Sequence, residues 1–152
     1  MPNKKLFIIS FFCIIIVAIF HFFSLENSWY WTYKWIDIPV HIFAGLGIAL
    51  MALWISLKVK HIDNILGYKR KALLIILLTV LLFAVCWEIY ELIFKATSIN
   101  YIGYWRDSIS DVCGSLVGGI IAFMYFTKRK RANRSLSELK HLNNFVVNLS
   151  NN

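Results

Sequence analysis

Residues 72–94 read ALLIILLTVLLFAVCWEIYELIF. From Ala72 to Trp87 the run carries no charged side chain, and at about 1.5 Å per residue the whole stretch is long enough to cross roughly 30 Å of hydrocarbon. Three further segments have the same character: Leu6–Phe23, Ile38–Leu57 and, about, Ser108–Thr127. The chain of 152 residues is 59% hydrophobic and 16% charged, with a mean hydropathy of +0.65, against about 25% charged residues in a soluble domain. This composition excludes a secreted disulfide scaffold, a disordered chain and a cytosolic enzyme. Cys13, Cys86 and Cys113 form no CxxC pair and sit inside apolar runs, the setting of buried thiols without redox duty.

The first apolar segment follows Lys4 and Lys5, as a signal peptide would. It stays bulky to Phe23 and lacks an A-x-A-like cleavage site, so it is expected to be a retained helix. Thirteen of the sixteen basic residues lie in the N-terminus, the loop between the second and third segments, and the tail. Basic residues near span ends stay on the cytoplasmic side, which predicts both termini inside. Six of the eight acids, Glu26, Asp37, Glu88, Glu91, Asp107 and Asp111, fall on the outer side. The net charge of +8 is therefore a topology signal, aided by anionic inner-leaflet lipids, and no nucleic-acid partner is expected.

The expected fold is all-α: an integral membrane four-helix bundle, N-in/C-in, multi-pass in the cytoplasmic membrane. Residues 1–131 form its transmembrane domain, with helices at about 6–23, 38–57, 72–94 and 108–127. Residues 132–152 form a short cytoplasmic amphipathic tail, because Leu136, Leu139, Leu142 and Phe145 recur at about helical spacing. The stretch from Ser28 to Trp35, with Tyr101, Tyr104 and Trp105, suits an aromatic belt at the outer interface.

Ionisable residues inside spans are costly and mark function by default. Asp37 and His41 are four apart and share a helix face. A helix cap accounts for Asp37, since Pro39 sits in the first turn, but not for His41, a turn deeper. Glu88 and Glu91 share a face of the third segment, with Glu88 roughly 9 Å below Phe94 at about 1.5 Å per residue. In the fourth, Asp107, Asp111, Gly114 and Gly118 fall in one stripe. Gly114-x-x-x-Gly118 and Ser115-x-x-x-Gly119 suit tight helix contact, within the bundle or between protomers, which makes a homo-oligomer through this face one expectation. All three segments thus place polar groups at one depth, as expected if they line one pocket.

The ordered set Asp37-x-x-x-His41-x-x-x-Gly45, Trp87-Glu88-x-x-Glu91 and Trp105-x-Asp107-x-x-x-Asp111, ending at Gly118, resembles the YjdF-like inner-membrane proteins. More distantly it is similar to the VanZ-like family associated with teicoplanin resistance. The resemblance spans about Trp35–Phe126 and implies a fold and a site rather than a reaction. Ser115 replaces the Asn that VanZ-like proteins usually carry, and Ile38 replaces their Lys.

Asp37, His41, Glu88 and Asp111 are the candidate ligands of a divalent cation, Mg²⁺, Mn²⁺ or Ca²⁺ by oxygen content, with Zn²⁺ admitted by the imidazole. Two functions stay open. In one, the protein binds a membrane lipid headgroup, a lipid-linked envelope intermediate or a metal, with Arg106 and Asp107 contacting the ligand. In the other, it is a metal-dependent hydrolase or transferase acting on a lipid-linked phosphate, with Glu88 or Glu91 as base and Arg106 as anion clamp. A purely structural polar network is a third reading. No HExxH, P-loop or G-x-S-x-G motif is present.

Overall fold

The computed structural model describes residues 4–58, 69–94 and 104–150. They form an all-helical bundle with four long helices: α1 (Lys4–Glu26), α3 (Asp37–Lys58), α4 (Lys69–Phe94) and α5 (Tyr104–Ser150), with a short α2 (Trp29–Thr32) and a 3₁₀ turn (Lys34–Ile36) between α1 and α3. All four long helices contain apolar stretches that meet the length and hydropathy of a membrane span. The protein is therefore a multi-pass membrane protein.

α3 and α5 make the largest helix contact; α1 packs on α3, and α4 on α5 and α3. Small residues allow this. A Cβ placed on Gly45 would collide with the backbone carbonyl of Ser115 and stand 2.7 Å from its Cα. One placed on Gly118 would collide with the Ile42 carbonyl and reach 2.7 Å from Leu46 N. The two helices thus meet backbone to backbone, a separation only glycine permits at these two points. The small-residue stripe of α5 is packed inside this chain: Gly114 and Gly118 on α3, and Gly119 against Val80 of α4.

The apolar core lies toward the basic end of the bundle. Leu50 and Leu53 of α3, Ile76 and Val80 of α4, and Ala122 and Phe126 of α5 close it, with Leu6 of α1. α1 is hydrophobic all round, so no apolar stripe selects its buried face. Polarity does: the Ser10 hydroxyl donates to the Gly47 carbonyl of α3 at 2.8 Å. The opposite surface, Phe12, Ile16 and Phe22 among others, is left exposed for lipid.

One feature departs from the sequence reading. Cys86 and Cys113 are not buried thiols but lie exposed on the bundle's surface, because the outward faces of α4 and α5 meet lipid and tolerate them. α5 runs without a break from Tyr104 to Ser150, so the segment expected as an amphipathic tail is helical through Ser150. Leu136 and Leu139 are exposed there; the side chains of Leu142 and Phe145 fall outside the described residues, as do Lys60, Lys95 and Tyr101.

Candidate metal centre

The aromatic end of the bundle begins with an unusual turn. Ser28 takes left-handed angles, φ 58° and ψ 27°, which stops α1 and folds α2 back across its end. Tyr30 consequently meets α1, where its hydroxyl and Nδ1 of His21 share a hydrogen bond of 2.8 Å. The 3₁₀ turn then feeds directly into α3. Asp37 already has helical angles, φ −64° and ψ −42°, not the extended angles of an N-cap, and its carboxylate is free to face down the helix.

It faces His41. Asp37 Oδ1 lies 3.4 Å from His41 Nε2, and Asp111 Oδ1 of α5 lies 3.9 Å from the same nitrogen. His41 is 7% exposed and Asp111 4%, so the pair is withdrawn from both water and lipid. Gly114 of α5 faces the His41 side chain, with room for an added Cβ 3.4 Å from His41 Cβ. One ligand atom from each of Asp37, His41 and Asp111 falls within 4.8 Å of the others. Together the three residues would supply one imidazole and two carboxylates to a divalent cation. Asp111 Oδ1 is buried without a hydrogen-bond donor, an arrangement that costs free energy unless a cation or donor arrives.

The other expected residues distribute around this triad. Glu88 of α4 stands outside it, within electrostatic reach of His41 and beside Ser108 of α5, with Oε1 buried and lacking a donor. Glu91 accepts a hydrogen bond from Trp87 Nε1 at 3.0 Å, which orients it along its own helix. Arg106 and Asp107 are exposed on the first turn of α5, and Asp107 stands within electrostatic reach of Asp111, one turn further along.

His21 and Tyr30 are the residues that motif reasoning missed, and the motif's Trp87 joins them. The edge of the Trp87 ring meets His21, with centroids 5.1 Å apart, so α1, α2 and α4 are joined beside the acids. Burial, then the nearby Asp37 carboxylate, push the Tyr30 phenol well above its ordinary pKa, so it remains a proton-bearing group. A signal for His21 existed: it is the one basic side chain within the apolar run Leu6–Phe23.

Four spans enclosing a buried Asp–His–Asp group at one end define a polytopic membrane protein with a concealed polar site. The chain belongs to the predicted membrane protein family DUF2238, whose model matches residues 3–132. The match takes in α1, which the motif resemblance had left out, and stops before most of the α5 extension. No curated protein and no solved structure matches the chain.

Proposed function

We propose that the protein binds a divalent transition-metal cation between Asp37, His41 and Asp111, close to the aromatic end of the bundle, and uses it to hold a lipid-linked ligand at the outer membrane interface. The observation that carries this reading is the buried Asp111 Oδ1, which lacks a donor yet lies 3.9 Å from His41 Nε2 and within 4.8 Å of the other ligand atoms. One imidazole with two carboxylates suits Zn²⁺ or Mn²⁺ better than Ca²⁺ or Mg²⁺, which prefer all-oxygen shells. Interhelical polar contacts contribute only about 0.6 to 2 kcal/mol each, too little to explain burying these groups for architecture alone. The likeness of the α3, α4 and α5 motifs to YjdF-like and VanZ-like proteins agrees with an envelope-facing ligand.

A catalytic reading is favoured by one observation: Glu88, with its unpartnered Oε1, stands where a base would serve a cation-bound phosphate. Equilibrium binding of Mn²⁺ and Zn²⁺ to the purified protein, with Asp37→Asn, His41→Ala and Asp111→Asn alongside, tests the cation site. Stoichiometric binding in the wild type, lost in each variant while the fold is kept, is expected. Wild-type protein that takes up neither ion would overturn it.

A further inference from the structure

Beside the triad, α4 and α5 enclose an open groove of about 380 Å³, lined by Val85, Glu88 and Leu92 on one wall and Trp105, Ile109 and Val112 on the other. Its volume lies within the roughly 300 to 1,000 Å³ of small-molecule sites. Its walls belong to apolar spans: Ile109 is 63% exposed and Trp105 75%, so the medium at its mouth is the bilayer itself. The carboxyl of Glu88 interrupts this apolar lining.

That carboxyl makes the groove more than a gap between helices. Glu88 Oε1 is buried and receives no hydrogen bond, the Ser108 hydroxyl serving the carboxyl elsewhere. Hydrocarbon filling the groove would leave the oxygen unsatisfied, and an unmet buried acceptor is expensive. The occupant must therefore combine a hydrocarbon chain with a hydrogen-bond donor near the depth of Glu88. Charge selects the donor. Asp37 and Asp107 act on Glu88 along with His41, so the surroundings carry more carboxylates than cations, and an anionic headgroup is repelled where an ammonium is attracted.

We infer that the α4/α5 groove seats one acyl chain of a phospholipid with a primary ammonium headgroup, whose N–H groups satisfy Glu88. Trp105 and Tyr104 at the groove's rim suit the headgroup level, where aromatic side chains accumulate. A quaternary ammonium carries the charge but no N–H, and a glycerol headgroup carries hydroxyls without the charge. The lipid site rests on Glu88 and the groove and does not require the cation triad to be loaded.

The protein reconstituted in lipid nanodiscs would be photolabelled with phospholipids carrying a diazirine on one acyl chain and an ethanolamine, choline or glycerol headgroup. Crosslinks would be mapped by peptide mass spectrometry, with Mn²⁺ and Zn²⁺ binding measured on the same samples. The ethanolamine probe is expected to label the groove about tenfold above the lipid-facing surface of α1, the scale of one charge-assisted hydrogen bond, and the other two probes to show no such enrichment. Glu88→Leu and the groove-filling Ile109→Trp should each return labelling to background with the melting temperature retained. Equal groove labelling by all three headgroups, or labelling that survives Glu88→Leu, overturns the proposal. Groove labelling by the ethanolamine probe alone in protein that binds neither Mn²⁺ nor Zn²⁺ supports the lipid site and removes the cation reading.

Discussion

Gly45 and Ser115 touch backbone to backbone one helical turn below His41 and Asp111. Each member of the polar pair precedes a member of the contact by four residues, so the closest approach of α3 and α5 sets the distance between imidazole and carboxylate. A bulkier residue at position 45 would separate the helices and open the site from beneath.

Substituting Gly45→Ala or Gly118→Ala should therefore cost about 1–3 kcal/mol or more, the usual penalty of overpacking, because the obstructing atoms are backbone and cannot rotate away. Gly114→Ala, whose added carbon would meet its nearest neighbour at 3.4 Å, should cost less than about 1 kcal/mol. Thermal unfolding in a fixed detergent distinguishes them. Equal melting temperatures for Gly45→Ala and Gly114→Ala would contradict the geometry.

Asp111 offers a test of whether the acids exist for function or for stability. Because its Oδ1 has no donor, Asp111→Asn should leave the metal-free protein within about 1 kcal/mol of wild type or make it more stable. The same change should abolish the melting-temperature rise that Mn²⁺ or Zn²⁺ gives by binding only the folded state. A strongly destabilised apo variant would point to a structural network instead.

Tyr30 gives the protein a pH signature on the alkaline side. Its phenol is raised above the unfolded value by burial and by Asp37, so the folded state holds the proton more tightly than the unfolded chain. That contribution is complete below about pH 10, the ordinary tyrosine value, and declines as pH rises beyond it. Melting curves from pH 8 to 11 should fall more steeply for wild type than for Tyr30→Phe; parallel profiles would show that the phenol does not titrate late.

The contact between Ser10 and the Gly47 carbonyl should contribute modestly, since intramembrane hydrogen bonds average about 0.6 kcal/mol. Ser10→Ala is expected to lower stability by about that amount, and Ser10→Leu by more, as its bulk would push α1 off α3. Denaturant titration of the two variants gives the comparison.

Orientation is open to direct measurement. In a background lacking Cys86 and Cys113, Tyr33→Cys should react with a membrane-impermeant maleimide on intact cells, and Ser135→Cys only after permeabilisation. The reverse pattern would invert the topology that the lysines and arginines imply.

The four spans were legible from the chain alone, because a bilayer demands long uncharged runs and the protein supplies them from Leu6, Ile38, Ala72 and about Ser108 onward. Asp37, His41 and Asp111 were legible as well, since an ionisable group among apolar neighbours stands out without any knowledge of packing. Sequence spacing fixes which residues share a helix face, and for that reason it found Glu88 with Glu91 and Asp107 with Asp111. It says nothing of rotation about the helix axis relative to neighbours. Only the tertiary structure decided that Asp111 turns inward to His41 while Asp107 stays exposed, that Glu88 borders a groove instead of completing the triad, and that Tyr30 folds back to His21. Those outcomes depend on where two backbones come closest, at Gly45 with Ser115 and at Gly118 with Ile42, and that contact joins residues about seventy positions apart.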